Sequence, residues 1–231
     1  MLRVSGLNQF YGESHTLWDV ELEVPEGKCT CLMGRNGVGK TTLLNCIMGQ
    51  LPVKSGSISY NDKELTTVAM EQRARLGIGY VPQGRQIFPM LSVEENLQIG
   101  LPVRPDKQKK IPEFIYELFP VLKEMLNRRG GDLSGGQQQQ LAIGRALVID
   151  PKLLILDEPT EGIQPNIVAE IGDIICRLNQ EIGLTVLLVE QKLPFVRKAA
   201  DSFAILDRGR TKASGLVSEL NEALVKEYLT V

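Results

Sequence analysis

Hydrophobic and polar positions follow two different periods along this chain, and each change of period marks a new element. Apolar and acidic residues alternate over positions 19–24, which predicts a half-buried strand in an antiparallel sheet. The stretches 28–33, 153–156 and 184–189 are instead mostly or entirely apolar. Such runs are typical of parallel strands buried on both faces, so we predict a parallel sheet as well.

Helical spacing separates these strands. Apolar residues recur every three or four positions within 43–48 and 165–182, and Gly49 closes the first of these helices. A last helix is predicted over 216–229. This alternation of strands and helices predicts an α/β fold in which helices wrap a parallel sheet. Further short elements are predicted as a helix at 69–76 and strands at 57–60, 78–81 and 203–206.

The middle of the chain has a helical pattern with almost no room for strands. A capping box formed by Ser92 and Glu95 begins one helix, Pro120 interrupts a second amphipathic stretch, and Pro151 stops a third. The polar, basic stretch 104–110 is predicted to be a solvated loop. We therefore predict a single domain over 1–231, with an α/β core built from 1–84 and 151–231 and an inserted helical subdomain at 85–150.

Composition narrows the function classes. The 231 residues include 26 basic and 28 acidic side chains, a net charge of −2, which argues against a general nucleic-acid binder. No apolar run approaches the ~20 residues of a membrane span, so we expect a chain that is soluble when isolated and cytosolic. Four cysteines without CxxC spacing and a single histidine argue against a zinc site.

A glycine-rich sequence at 34–41, GRNGVGKT, carries the first chemical signal. It matches the pattern G-x-x-x-x-G-K-[ST], follows a predicted strand and begins a helix. In that context backbone N–H groups wrap a triphosphate, Lys40 reaches its β- and γ-phosphates, and the Thr41 hydroxyl binds Mg²⁺. The alternative is a plain glycine turn. The predicted ATP-binding residues are Gly34, Arg35, Asn36, Gly37, Val38, Gly39, Lys40, Thr41 and Thr42.

Two acids directly follow the apolar strand at 153–156. Ligands bind at the carboxyl ends of parallel strands, so Asp157 and Glu158 are expected beside the phosphate loop. Asp157 is placed to hold Mg²⁺ through water, and Glu158 to orient or deprotonate the attacking water. Alone, such a strand end is more often simply solvated; together with the phosphate loop, it predicts an ATPase.

A second anion-binding turn is predicted where the letters LSGGQ stand at 133–137. Ser134, Gly135, Gly136 and Gln137 begin a helix and offer a hydroxyl, free N–H groups and a positive helix end. A chain with one triphosphate loop has little use for another such turn in the same site. We therefore predict that this turn caps ATP held by another subunit, so that two chains sandwich two ATP molecules head to tail.

In this order and spacing, the phosphate loop, Gln83, LSGGQ and LLILDEP resemble ATP-binding-cassette (ABC) ATPases over essentially the whole chain. The resemblance implies a P-loop NTPase (RecA-like) core, an N-terminal antiparallel β-subdomain and an inserted α-helical subdomain. It also implies that two ATPase subunits close on ATP and thereby move transmembrane permease subunits, which dock near residues 83–89. A periplasmic solute-binding protein is then an indirect partner. Such a subunit is peripheral, on the cytoplasmic side of the inner membrane.

Within the family, the stretches MGRNGVGKTTLL, LSVEENL and DEPTEGIQPNIV resemble the smaller ATPase subunit of branched-chain amino-acid importers. The letters YVPQGR and EGIQP resemble most the urea-importing branch. We therefore expect an importer of a small polar solute, with urea ahead of branched-chain amino acids. The alternatives are a non-transport cassette acting on nucleic acid or ribosomes, and a phosphotransferase, which would leave LSGGQ without a role.

The resemblance also implies roles by position. Tyr11 falls where an aromatic stacks on adenine, and Gln83 where an amide approaches Mg²⁺ and water. A surface tyrosine and an ordinary strand-end glutamine are the alternatives, and Asn36 is equally a turn former.

Two positions depart from the family pattern. The sequence at 161–164 is EGIQ, whereas the family loop usually ends in Asp, and Gln191 stands where a switch histidine is common. Because glutamine cannot carry imidazolium charge, we expect slow hydrolysis in a homodimer. A heterodimer with a second ABC ATPase subunit is therefore favoured, with a homodimer as the alternative.

Overall fold

The computed structural model describes residues 1–229, and its strands form two sheets. The strands are β1 (Leu2–Tyr11), β2 (Ser14–Val24), β3 (Cys29–Met33), β4 (Ser55–Tyr60), β5 (Lys63–Glu64), β6 (Ile78–Val81), β7 (Leu153–Asp157), β8 (Thr185–Val189), β9 (Ser202–Asp207) and β10 (Arg210–Leu216). An antiparallel sheet has the order β2-β1-β4-β5. The larger sheet has the order β10-β9-β3-β8-β7-β6 and is parallel except for β10. The predicted α/β fold with an N-terminal antiparallel sheet is confirmed.

Capping residues and prolines set the boundaries of several helices. The Ser92 capping box begins α3, and Pro120 divides the amphipathic stretch into α4 and α5, as predicted. Within residues 1–229, no helix is long and apolar enough to cross a bilayer. The helices are α1 (Lys40–Met48), α2 (Met70–Arg75), α3 (Val93–Gln98), α4 (Glu113–Leu118), α5 (Pro120–Glu124), α6 (Gly135–Val148), α7 (Pro165–Gln180), α8 (Leu193–Ala199) and α9 (Glu222–Tyr228).

The central strands β3, β7 and β8 are buried at every position because each face of the parallel sheet packs against a different core. Leu154 and Leu156 of β7 join the core that contains α6 and α7, whereas Leu153 and Ile155 join the core shared with the antiparallel sheet. All four side chains are fully buried. This packing on both faces holds the carboxyl end of β7 in place, and the acidic pair lies there. The proposed subdomain boundaries at 84–85 and 150–151 stay a prediction.

Three strands were not predicted, for different reasons. β5 has only two residues, too few to show a pattern. In β1 the pairing with β2 shifts register three times between Val4 and Phe10, which disrupts the period of two. β10 lies at the edge of its sheet and its residues are partly or fully exposed, so it lacks an apolar face. The predicted helix over 216–229 was wrong in its first half: Leu216 ends β10, a 3₁₀ turn follows at Val217–Glu219, and only α9 is helical.

Arg104 corrects the prediction that the basic stretch 104–110 is entirely solvated. Its side chain is buried, donates to the carbonyl oxygen of Val148 over 2.7 Å and pairs with Asp106. Val148 ends α6, where carbonyl groups lack helical partners and the helix dipole attracts a cation. Arg104 thus stabilises the end of the helix that begins with LSGGQ.

Candidate active site

The phosphate loop joins the buried strand β3 to α1, and its backbone needs glycine. At Gly34, φ is +146°, and a Cβ atom there would lie 2.2 Å from the carbonyl oxygen of Leu206. At Gly39, φ is +109° and a Cβ would lie 2.9 Å from Leu17. A side chain at either position would clash with neighbouring strands, so these glycines allow the loop to sit directly on the sheet.

Lys40 lies under the loop rather than in solvent. Its Nζ donates to the carbonyl oxygens of Gly34 over 2.8 Å and Arg35 over 3.0 Å, and it is 3.6 Å from Oε1 of Glu158. Burial lowers the pKa of Lys40, although the neighbouring carboxylates oppose that effect. A buried ammonium facing loop carbonyls and a carboxylate is placed to exchange these contacts for phosphate oxygens.

Asp157 has the character of a cation ligand. Its side chain is 2% exposed, and both carboxylate oxygens are buried without a hydrogen-bond partner among residues 1–229. Burial, with a smaller contribution from the Glu158 charge, raises the pKa of Asp157 to about 6. A carboxylate with two unpartnered oxygens near a phosphate loop fits Mg²⁺, which prefers oxygen ligands and keeps several waters.

Glu158 is held by donors on both of its oxygens. Oε1 accepts from Nε2 of Gln191 over 2.8 Å, and Oε2 accepts from Nε2 of Gln83 over 3.1 Å. The Glu158 backbone has φ +48° and donates its N–H to Val189 at the end of β8. A left-handed backbone at a non-glycine residue is typical of strained functional positions. Three of the predicted site residues, Gln83, Glu158 and Gln191, are therefore in contact.

Gln191 also connects the acidic pair to the phosphate loop. Its Nε2 donates to Oδ1 of Asn36 over 2.8 Å, so one amide nitrogen spans Asn36 and Glu158. The backbone N–H of Gln191 is held by the buried Glu190, which also accepts from the Thr160 hydroxyl over 2.6 Å. Sequence reasoning missed Glu190, although an acid directly after an apolar strand was a visible signal.

Glu161 is a second residue that sequence reasoning did not place in the site. Its Oε2 accepts from Nε2 of Gln83 over 2.9 Å. Among the described residues, both hydrogen bonds of the Gln83 side chain are therefore with carboxylates, and the amide oxygen of Gln83 is left for a cation. The phosphate cleft has a volume of about 330 Å³. It is lined by Thr16, Asn36, Gly37, Gly39, Lys40, Thr41, Thr42, Gln83, Glu158 and Glu161.

Three predicted residues support this cleft without lining it. Gly34 lies against Leu206, and the partly buried Val38 packs against the core between the sheets. Arg35 donates to the carbonyl oxygen of Glu227 in α9. Side-chain contact with nucleotide is therefore not expected at these positions, whereas their backbone N–H groups remain part of the loop.

Tyr11 lies at the hairpin between β1 and β2 with half of its side chain exposed. Its hydroxyl is 3.5 Å from that of Thr42 in α1, close behind the phosphate loop. An exposed aromatic at this distance is compatible with a base stacked beside bound phosphates.

The LSGGQ turn lies in a different cleft. Ser134 caps α6: its hydroxyl accepts from the N–H of Gln137, whose side chain accepts from the N–H of Ser134. This second cleft, also about 330 Å³, is lined by Ser134, Gly135, Gly136 and Gln137 with residues of α5, α6, α7 and the loop before α7. It shares no lining residue with the phosphate cleft, so the two predicted nucleotide-contacting motifs lie in two separate clefts.

Comparisons with known proteins agree with this geometry. The ABC transporter family model matches residues 17–161. The high-affinity branched-chain amino acid transport ATP-binding protein BraG of Pseudomonas aeruginosa is 44% identical over 91% of this chain and 90% of its own. A protein of Archaeoglobus fulgidus named "Probable branched-chain amino acid transport ATP-binding protein LivF" is 39% identical over 96% and 94%.

Solved structures have the same fold. The ADP conformation of MJ1267, an ATP-binding cassette of an ABC transporter, is 28% identical, covers 98% of both chains and superposes with a TM-score of 0.80. The dimeric structure of MJ0796, a bacterial ABC transporter cassette, is 25% identical with a TM-score of 0.83, covering 94% of this chain and 99% of its own. The chain therefore belongs to the ABC transporter family, in which it is an ATP-hydrolysing importer cassette of the LivF-like type.

Proposed function

We propose that this chain powers import of a small polar solute by closing on a second ABC ATPase subunit, each subunit capping the ATP of the other. The observation that carries this proposal is the separation of its two half-sites into clefts with no common residue. A second subunit supplies the missing half of each site, and head-to-tail pairing completes both.

The chemistry is assigned to residues of the phosphate cleft. Lys40 holds the β- and γ-phosphates, and Glu158 acts as general base on the attacking water. Thr41, Gln83 and Asp157 are the residues that would hold Mg²⁺, which when bound neutralises charge on the phosphates. Tyr11 stacks on adenine.

Gln191 holds Glu158 in place through its amide nitrogen. Because this amide cannot take up a proton, the chain is expected to hydrolyse ATP faster beside a different subunit that carries histidine at the matching position. A heterodimer is accordingly proposed, with a homodimer as the alternative.

The partners in the membrane are proposed to be transmembrane permease subunits. An apolar groove of about 610 Å³ lies between β6, α2 and the end of α6, next to the loop that contains Gln83. Its rim includes Met70, Phe88 and Ile99, whose side chains are 43–48% exposed. Exposed apolar patches of this kind mark interaction surfaces, and a permease segment on the cytoplasmic side of the membrane is the proposed occupant.

Closure is tested with Glu158→Gln, which keeps ATP binding while slowing hydrolysis. The purified variant, alone and with a candidate second cassette, is followed by analytical ultracentrifugation with MgATP and with MgADP. A dimer that forms only with MgATP supports the proposal. If neither mixture dimerises with MgATP, closure of this chain is contradicted.

The solute is proposed to be urea, on the YVPQGR and EGIQP sequences, with branched-chain amino acids next. Uptake of labelled urea and labelled leucine is compared in cells with and without this chain. Loss of urea uptake alone supports urea, and loss of leucine uptake alone assigns amino acids. Co-purification with ribosomes or DNA instead of permeases would overturn the transport role.

A further inference from the structure

The loop after β6 contains three consecutive residues in the left-handed region. Gly84, Arg85 and Gln86 have φ values of +75°, +68° and +45°. Two of them are not glycine, so the segment is strained and must be held by its surroundings. Arg145 of α6 supplies that support, because its Nη2 donates to the carbonyl oxygens of Gln86 over 2.8 Å and Arg85 over 3.5 Å.

This backbone carries the Arg85 side chain to the start of the same helix. Its Nη1 donates to Oε1 of Gln138 over 3.3 Å, and its Nη2 donates to the carbonyl oxygen of Glu161 over 3.4 Å. A Cβ atom on Gly135 would lie only 3.2 Å from both terminal nitrogens of the guanidinium. Arg85 is therefore packed directly against the glycine of the LSGGQ turn.

The charge of Arg85 has no carboxylate partner in the described part of the chain. Within residues 1–229 Arg85 forms no ion pair, and both of its hydrogen bonds are with neutral oxygens. It lies at a helix N-terminus, where the dipole already provides positive potential and repels a cation. Two of its five N–H groups are used, so this half-buried guanidinium can still bind an anion.

We propose that Arg85 is a further residue of the signature half-site and contacts the γ-phosphate of ATP bound in the second subunit. This inference rests on the proposed closure, and it assigns the chain a cation that acts in trans beside Ser134 and Gly135. Because ADP lacks the γ-phosphate, Arg85 contributes to closure with ATP and not with ADP. The competing explanation is that Arg85 only ties the loop to Gln138 and Glu161.

Charge and hydrogen bonding are separated by two substitutions in the Glu158→Gln background. Arg85→Lys keeps the charge and loses the planar fork, whereas Arg85→Gln keeps a hydrogen-bond donor and loses the charge. Arg197→Gln, on the exposed side of α8, makes the same charge change as a matched control. Each variant is studied with the second cassette that closes on the parent, and the Kd of the MgATP dimer is measured by analytical ultracentrifugation.

We expect Arg85→Gln to raise the dimer Kd by about 10- to 100-fold, because a charge-assisted phosphate contact is lost. Arg85→Lys should raise it by less than about 10-fold, and Arg197→Gln should leave it unchanged. Binding of a fluorescent ATP analogue to the monomer should be the same in all variants, because the phosphate loop is intact. Thermal unfolding checks that each variant is folded.

Two results would overturn the role of Arg85 while leaving the proposed closure of the dimer intact. One is an Arg85→Gln dimer as tight as the parent's. The other is a dimer Kd that rises more in Arg85→Lys than in Arg85→Gln. That result would show that Arg85 only holds the loop in place. A parent that does not dimerise with MgATP contradicts the closure itself, and with it this role of Arg85.

Discussion

The phosphate cleft and the LSGGQ turn are both proposed to bind ATP, but the fold builds them differently. The phosphate cleft lies at the ends of buried strands, where Asp157 is 2% exposed and Glu158 is held on both oxygens. The LSGGQ turn is the start of one helix, open to a separate cleft. The phosphate cleft is organised by the chain's own core, whereas in our proposal the LSGGQ turn becomes part of a site only when another molecule covers it.

The largest effect is expected from Glu158→Gln, which tests the phosphate cleft. The substitution keeps the shape and removes the general base, so we expect kcat for ATP hydrolysis to fall by about 10²- to 10⁴-fold. ATP binding should persist. Steady-state phosphate release and nucleotide binding measure the two quantities separately. Hydrolysis at the parental rate would remove Glu158 from the role of base.

Ser134→Arg tests the other half-site. The large side chain would block the turn that we propose receives the partner's ATP, so hydrolysis at that composite site should fall at least about tenfold. The variant's own phosphate loop should bind ATP normally. A mixed dimer, in which only one subunit carries the substitution, tells the two sites apart. Equal damage to the variant's own loop would contradict the division into half-sites.

Asp157→Asn tests how much the buried Asp157 carboxylate lowers the free energy of unfolding. The folded-state pKa of about 6 lies above the ordinary value of 3.8. The fold therefore favours the protonated acid, and its contribution to stability is lost as pH rises from about 4 to 6. At pH 7.5 we expect the variant to be more stable without nucleotide, by about 1–3 kcal/mol.

Urea denaturation of the nucleotide-free protein at pH 4.5 and pH 7.5 measures this difference. The advantage of Asp157→Asn should shrink at the lower pH, and its ATPase activity should be lost at both. If the free energy of unfolding of the parent protein rises relative to that of Asp157→Asn as the pH increases, Asp157 is not an unpartnered buried acid.

The smallest effect is expected at Gln191. Gln191→Ala removes one donor to Glu158 and one to Asn36, and losing about 1 kcal/mol of positioning should lower kcat by about fivefold. KM should change little, because the phosphate loop keeps its shape. Gln191→His should restore part of the rate and add a dependence on pH between 6 and 7. An unchanged kcat in Gln191→Ala would show that Glu158 needs no such support.

Motifs that act locally were predictable from sequence. The GRNGVGKT loop, the Asp157–Glu158 pair and the Ser134 cap each depend on neighbouring residues, such as glycines with positive φ or a strand that ends in acids. Strands with regular patterns were predictable for the same reason. β1 and β10 were not, because register shifts and edge exposure remove the pattern that identifies a strand.

Contacts between distant residues could not be predicted in detail. Gln191 and Asn36 are 155 positions apart, and Gln83 and Glu161 are 78 positions apart. For Arg85, the sequence indicated only a position in a loop. No local pattern records that its backbone is left-handed, or that its guanidinium reaches Gly135.

The sequence by itself determined the fold class, the glycine-rich loop, the acidic pair and the capped turn at LSGGQ, because backbone geometry and apolar periodicity are encoded over a few neighbouring residues. Only the tertiary structure decided which side chains meet. Glu158 is held by Gln83 and Gln191, Glu161 faces the phosphate cleft, and Arg85 lies beside LSGGQ with no ion pair among residues 1–229. Those meetings depend on strand order and on the packing of α6 against the sheet. Such arrangements arise from the whole core, and no single segment specifies them.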